Sequence, residues 1–218
     1  MATPYLQMIV KDVPSTQDLA RSRLESLPQV VIASGQSAGR GRSGAVWENA
    51  DRSLAVSVAW LEGGEPGRPF SLMAGVAAVR ILGPGITLKW PNDIMLGGAK
   101  VGGILVERSG SSIVVGMGLN LYWPAPPPGA TALNPHDPGE SAFEELGALF
   151  AAELLALVDG HDWPLEEFRR YCATIGERIT WEPGGRGMAK DVSDSGALIV
   201  ETEAGIEELV TGAVRHVR

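Results

Sequence analysis

The sequence is poor in the residues that build covalent and metal frameworks. It has one cysteine, Cys172, which excludes an internal disulfide and a cysteine-based metal cluster. Its three histidines, His136, His161 and His216, are scattered without ligand spacing. No apolar run approaches the ~20 residues that a membrane-crossing helix needs. The first residues, Met1-Ala2-Thr3-Pro4-Tyr5, lack a basic region followed by an apolar block, so no signal peptide is read there. A cytoplasmic location is the expectation. Positive charge is short as well: 18 Lys and Arg stand against 26 Asp and Glu, a net charge of -8 at pH 7. That balance argues against non-specific nucleic-acid binding. No basic helical stretch near the N-terminus offers a winged-helix or helix-turn-helix module either. What remains is ordinary for a globular protein, with 44% hydrophobic and 20% charged residues over 218 positions. A chain of that length buries a sizeable core, as one large domain or one domain with a small appendage.

Against this acidic background, Gly39-Arg40-Gly41-Arg42-Ser43-Gly44 concentrates cationic donors in one place. It follows the apolar run Val30-Val31-Ile32-Ala33, which reads as a buried strand. Glycines let the backbone turn tightly and approach a ligand, and successive exposed N–H groups form a concavity that suits anions. Two arginines one residue apart add planar donor forks. A phosphate, or a carboxylate being turned into a phosphoester, is the guest such a loop fits. A solvated loop with idle arginines is the plain alternative.

Local patterns order the chain around this loop. Ser15 to Leu27 reads as a helix capped by Ser15 or Thr16 and stopped by Pro28. Leu54 to Trp60 is rich in strand formers, and Glu62 to Pro69 reads as a turn. Pro69 to Leu82 is apolar almost all round, as a buried helix is. Ile86 to Lys89 is a short strand. Gly103 to Glu107 and Ile113 to Met117 are strands joined at Ser109-Gly110-Ser111, a hairpin signature. Trp123 to Pro138 holds six of the fifteen prolines and reads as an irregular loop. Ser141 to Val158 is a helix with Ser141 as cap and Glu144 as its capping-box partner. A second helix runs from about Pro164 to Ala173. From Arg178 short strand-like runs alternate with glycine turns, which predicts a small β-barrel and a domain boundary near Ile175-Gly176.

Three further segments carry chemistry. Lys89-Trp90-Pro91-Asn92-Asp93 ends a strand with a cation, a rigid corner, an amide and a carboxylate. Asp93 suits a magnesium ion or its waters and Lys89 a phosphate; a turn capped by its own Asn and Asp is the alternative. Lys100 stands just ahead of Gly102-Gly103 and a buried strand, where it can reach over a ligand lying on the sheet. Gly116-Met117-Gly118-Leu119-Asn120 alternates glycines within a strand, which costs packing. Those glycines make room either for a flat ligand or for a closely packed neighbouring backbone. Asn120 can both donate to and accept from a purine edge.

Together and in this order these segments resemble the biotin protein ligases. Ser15-Thr16-Gln17 is similar to that family's Ser-Thr-Asn, and Gln36 to Trp47 to its Gln-x-x-Gly-Arg-Gly-Arg-x-Gly-x-x-Trp loop. Lys89 to Asp93, Lys100 to Glu107 and Gly116 to Asn120 match its Lys-Trp-Pro-Asn-Asp, Lys-x-x-Gly-Ile-Leu-Val-Glu and Gly-x-Gly-x-Asn. Two departures stand out: Gln17 replaces the usual Asn, and Ala45-Val46 occupy a stretch where a third basic residue is common.

The resemblance implies an α+β fold, a mixed sheet packed with helices like the catalytic domain of class II aminoacyl-tRNA synthetases. It implies a catalytic domain over residues 1-175 and a small SH3-like barrel over 176-218. It implies activation of biotin by Mg2+ and ATP to biotinyl-adenylate, then transfer to a lysine of a biotin carboxyl-carrier domain. By the resemblance, Ser15, Thr16, Gln17 and Gln36 bind biotin, with backbone help from Gly39, Gly41 and Gly103, and Gly116 and Gly118 receive its valeryl chain. Lys100 bridges carboxylate and α-phosphate, and Arg40 and Arg42 hold the adenylate phosphate. Lys89, Asn92 and Asp93 serve ATP, Asp93 also holding the metal, while Trp47 and Asn120 bind adenine. Cys172 is structural. No DNA or membrane partner is implied, and relatives occur as monomers and homodimers. Two rival readings are a lipoate or octanoate ligase or transferase of related fold, and a non-catalytic biotin-binding module.

Overall fold

The computed structural model describes residues 3–62, 67–160 and 162–217. The Gly63-Gly64-Glu65-Pro66 part of the expected turn, and His161, lie outside the described residues. A seven-stranded sheet runs in the order β1-β2-β3-β7-β6-β5-β4. Its strands are β1 (Leu6–Val13), β2 (Gln29–Gln36), β3 (Arg52–Leu61), β4 (Ile86–Lys89), β5 (Asp93–Leu96), β6 (Ala99–Ser109) and β7 (Ser112–Tyr122). β1 and β2 are parallel and the other pairs antiparallel, so the sheet is mixed. Helix α1 (Thr16–Ser22) makes the crossover that a parallel pair requires. Helices α2 (Phe70–Leu82), α3 (Ala142–Asp159) and α4 (Leu165–Tyr171) complete the first 175 residues.

Strand alternation gives the sheet two unlike faces. Val30, Ile32, Leu54, Val56, Val58, Trp60, Val115, Met117 and Leu119 join Met73, Ala77 and Phe150 of α2 and α3 in the main core. The alternate residues at the centre of the second face are mostly small. Register sets Ala55 of β3 beside Gly118 of β7 beside Gly103 of β6, and Ser57 beside Gly116 beside Leu105. One end of this second face is covered by α1, whose Ala20 packs on Val31, Ala59 and Val114. The rest is a shallow floor.

Several expectations need correction. The first helix is shorter than Ser15 to Leu27. It ends at Arg23, where Ser22 Oγ donates to the Leu19 carbonyl and the chain turns toward Pro28. Ser141 does not form the capping box: its backbone is helical (φ -95°, ψ -2°) and no side-chain cap bond is present. A cap needs an extended residue to aim its side chain at the first turn. β1 and β5 were not anticipated. β1 is an edge strand with Leu6 and Ile9 exposed, so it carries no in-out alternation to read. β5 is four residues long and begins inside the Lys89–Asp93 motif. The hairpin is as expected: Ser109 pairs with Ser112 around Gly110, whose φ is +56°.

The C-terminal strands are β8 (Arg178–Trp181), β9 (Gly185–Val192), β10 (Leu198–Thr202), β11 (Gly205–Leu209) and β12 (Val214–His216). They form an antiparallel sheet in the order β11-β10-β9-β8-β12. β11 and β12 are its two edges and do not pair with each other, so no closed barrel forms among the described residues. Its apolar side, Ile179, Val192, Val200 and Val214, belongs to the main core. Trp90 pins the two sheets together: buried to 2% exposure, it donates through Nε1 to the Gly196 carbonyl (3.0 Å) and through its backbone N–H to Thr174 Oγ1 (3.0 Å).

Candidate active site

The small-residue floor lies under a cavity of about 620 Å3. Of the residues singled out in the sequence, Ser15, Thr16, Gln17, Gln36, Arg40, Gly41, Arg42, Trp47, Asn92, Asp93, Lys100, Gly103, Gly116 and Gly118 line it. They come from α1, β2, the loop after it, the β4–β5 turn, β6 and β7. Ser57 of β3 and Thr211-Gly212-Ala213 of the β11–β12 turn line it too, and sequence reasoning missed both groups. Ser57 sits inside an ordinary-looking strand. The turn is distant in sequence from every other wall.

One end of the cavity is a polar network. Gln36 Oε1 accepts from the Thr16 backbone N–H (2.8 Å) and from Thr16 Oγ1 (3.0 Å), and Thr16 Oγ1 lies 2.8 Å from Ser57 Oγ. Ser15 Oγ caps α1 by accepting from the Asp18 N–H at 3.3 Å. Gln17 donates through Nε2 to the Leu105 carbonyl at 3.4 Å, while its Oε1 is buried with no partner among the described residues. A Cβ on Gly116 would come 3.2 Å from both Gln17 Nε2 and Ser57 Oγ, so the glycine is what admits the longer Gln side chain. A buried acceptor left unpaired costs about 1–3 kcal/mol, which a ligand N–H recovers.

The loop carrying the arginines folds back on itself. Gly41 donates to the Ala45 carbonyl (2.7 Å) and Trp47 to that of Gly39 (3.0 Å), with a short 3-10 turn at Arg42–Gly44 between. Ser43 takes a positive φ of 54° there. This folding lays the Trp47 indole on the floor. A Cβ on Gly118 would fall 2.8 Å from the Trp47 ring, and one on Gly103 3.5 Å from it. Gly118 and Gly103 therefore accommodate an aromatic ring of this chain, Gly116 accommodates Gln17, and the space over Gly118 is already occupied. Trp47 Nε1 is buried without a partner among the described residues.

Each cation of the cavity is held by protein acceptors. Arg40 makes a two-pronged pair with Asp18 (2.7 Å on both arms) and lies 3.4 Å from both Glu107 oxygens. Its bond to Asp18 raises the Arg40 pKa and lowers that of Asp18. Arg42 donates to Asn92 Oδ1 (3.3 Å), the Gly212 carbonyl (3.1 Å) and Thr211 Oγ1 (3.2 Å). Burial lowers its pKa, and the nearby Asp93 carboxylate opposes that. Lys100 Nζ lies 2.5 Å from Asp93 Oδ1. Asn92 is fixed by donating to the Ile104 carbonyl at 2.9 Å.

Three expected site residues do not line the cavity. Gly39 is packed beneath the loop, where a Cβ would lie 3.1 Å from Trp47 Cβ. Lys89 ends β4 on the far side of the motif, near His216, whose pKa it helps to lower. Asn120 is buried and donates through Nδ2 to the Thr131 carbonyl (2.9 Å), leaving Oδ1 without a partner among the described residues. Among the described residues no group of three or more His, Cys, Asp or Glu side chains could hold a metal.

Fold and cavity together define an α+β protein with a mixed sheet, on whose small-residue face a polar pocket is ringed by two arginines and a lysine. Residues 9–121 match the biotin/lipoate A/B protein ligase family and residues 174–217 the biotin protein ligase C-terminal domain. The chain belongs to the biotin protein ligase family. It is 32% identical to a biotin–[acetyl-CoA-carboxylase] ligase of Mycobacterium tuberculosis, over 87% of this chain and 79% of that protein. It is also 32% identical to the one of Paracoccus denitrificans, over 80% of this chain and 85% of that protein. The biotin protein ligase of Aquifex aeolicus, solved with biotin and ATP, shares the fold with a TM-score of 0.84 at 24% identity, covering 97% of this chain and 99% of that one.

Proposed function

We propose how this site divides the labour of a biotin protein ligase, which adenylates biotin and passes it to a carboxylase. In the first half-reaction a biotin carboxylate oxygen attacks the α-phosphorus of ATP and pyrophosphate leaves. In the second, a lysine ε-amine of a biotin carboxyl-carrier domain attacks the anhydride carbonyl. The C–O bond breaks, AMP leaves, and the amine's proton passes to solvent. Two anions must first be brought together, so fixed cations supply the largest electrostatic term.

The observation that carries this reading is the polarity of the cavity from end to end. At the Thr16–Gln36–Ser57 end, and at the free Gln17 Oε1, it offers acceptors and hydroxyls suited to the ureido ring. The middle, between the Gly116 floor and the Trp47 ring lying over Gly118, takes the valeryl chain. At the other end stand Lys100, on Asp93, and Arg42, on Asn92, whereas the Arg40 guanidinium is paired with Asp18 and Glu107 beside the Gln17 end. Lys100 bridges carboxylate and α-phosphate, Arg42 holds the phosphate, and Arg40 fastens the loop through Asp18. The unpaired Trp47 Nε1 is the donor left for adenine, while Asn120 stands behind the wall and holds Thr131.

Magnesium fits this donor set in one manner only. Asp93 is a single carboxylate, already paired with Lys100, and suits an ion that keeps its waters and takes most of its ligands from the nucleotide phosphates. Such an ion supplies neutralising charge. Lys89 serves ATP only from outside the cavity wall. Residues 1–175 form the catalytic part, of class II synthetase-like architecture, and 176–218 the C-terminal part that closes one wall. The acceptor is a carboxyl-carrier domain. Among the described residues no helix is long and apolar enough to cross a membrane.

Biotin-dependent exchange of labelled pyrophosphate into ATP tests the first half-reaction without needing the acceptor. Mass gain of a carrier domain with biotin, lipoate or octanoate tests the second. Exchange driven by lipoate or octanoate but not by biotin would overturn the reading.

A further inference from the structure

The proline-rich segment after β7 contributes no side chain to the cavity wall, yet it is bonded to the central residue of the site. β6 and β7 are paired only from Gly102↔Leu119 onward. Lys100 lies before that point, on the side that β7 has already left. The segment returns to fill the gap as a single parallel rung opposite Ala130. The Lys100 N–H donates to the Gly129 carbonyl (2.8 Å) and the Thr131 N–H to the Lys100 carbonyl (2.8 Å). Both main-chain groups of Lys100 are thereby committed to this strip. On its other side Lys100 faces Met95 of β5, next to a slip in register between Ile94 and Met95. Slips of this kind re-aim a side chain.

The strip is itself tied down at its far end. Asn120 Nδ2 donates to the Thr131 carbonyl (2.9 Å), the Leu133 N–H to the Asn120 carbonyl (2.9 Å), and Asn134 through both N–H and Nδ2 to the Leu121 carbonyl (2.9 and 3.0 Å). Pro126, Pro127 and Pro128 lead into it and are exposed, so packing does not require them. Their fixed φ lowers the entropy lost when the rung forms. Ala130 N–H closes a turn on the Pro127 carbonyl at 3.0 Å.

We propose that residues 126–131 are a preformed brace that positions Lys100 for adenylation, with Thr131 N–H as its positioning donor. The inference rests on the assignment of Lys100 to the reacting carboxylate and phosphate. The brace acts on the lysine backbone, so it serves the chemical step rather than recognition of the ureido ring at the other end of the cavity.

Thr131→Ala keeps the backbone donor, and Thr131→Pro removes it. Single-turnover adenylate formation and biotin affinity are measured on both full-length variants, with thermal melts alongside. Thr131→Ala is expected within twofold of wild type in both. Thr131→Pro is expected to slow adenylation about 10- to 100-fold, the scale of an ångström-sized misplacement of a reacting group, with biotin affinity within twofold. A folded Thr131→Pro variant that adenylates at the wild-type rate overturns the brace. So does one that loses rate and biotin affinity in parallel. Should Thr131→Pro not fold, the triple variant P126G/P127G/P128G keeps both bonds and removes the stiffness. It is expected to speed amide exchange at Lys100 and slow adenylation at least threefold, and unchanged rates overturn the proposal. A wild-type protein inert in biotin-dependent pyrophosphate exchange would instead refute the functional reading itself.

Discussion

Two segments flank the site and are fastened in opposite ways. The glycine-arginine loop of residues 39–47 bonds its backbone mainly to itself and reaches the body through side chains. Arg40 reaches Asp18, and Arg42 reaches Asn92, Thr211 and Gly212. The strip of residues 126–134 reaches the body mainly through backbone bonds to Lys100, Asn120 and Leu121. Side-chain ion pairs at half-exposed positions are worth little and yield to a competing anion. Backbone rungs do not depend on charge. The difference separates a part that an anionic ligand can rearrange from a part that stays put while it does so.

The largest test of this contrast is Lys100→Ala, which removes the cation that the fixed side supports. It is expected to retain the fold and lose about 100-fold in adenylation rate, the usual scale for one preorganised donor at a developing charge. Near-wild-type single-turnover rates would show that the brace holds nothing of catalytic use. A smaller loss is expected from Gly118→Val. Its Cβ would sit 2.8 Å from the Trp47 ring and drive the indole off the floor. About 10-fold weaker biotin binding should follow, or about 1.4 kcal/mol, with a red shift of tryptophan emission. Unchanged emission and affinity would mean that Trp47 rests there only loosely.

Asp18→Ala addresses the movable side. It releases Arg40 and should raise amide exchange over residues 39–46 several-fold, while stability changes by no more than about 0.5 kcal/mol, as for an exposed pair. Arg40 lowers the Asp18 pKa, so the pair is intact above the ordinary carboxylate value of 3.8 and is lost as pH falls through the lower folded value. Exchange that does not depend on Asp18 would shift the fastening of the loop to Arg42. The smallest effect concerns His216, whose pKa is lowered by burial and by the Lys89 charge. Its contribution is complete above the ordinary value of 6.5 and is lost as pH falls through the lower folded value. Melting temperature should fall in that window in the wild type and stay flatter in His216→Gln. Parallel curves would remove His216 from the contact between the two sheets.

The sequence by itself determined the elements with a strong local signal. The hairpin turn at Gly110 was legible because a two-strand return with glycine at its tip has few other solutions. Helix α2 was legible because its apolar content runs all round. The motif residues were legible because glycine, arginine and lysine concentrate where a chain of net charge -8 otherwise has little positive charge. β1 was not, because an edge strand with exposed Leu6 and Ile9 lacks the alternation that a half-buried strand shows. Nor were the partners: nothing local links Arg42 to Thr211, Arg40 to Asp18 or Lys100 to Gly129. Those pairs exist because strand register and the returning C-terminal turn bring distant backbone together. Spacing along the chain could name the cations and the glycines. Only the tertiary structure decided which acid each cation faces, that Trp47 fills the space over Gly118, and that Lys89, Gly39 and Asn120 stand behind the wall.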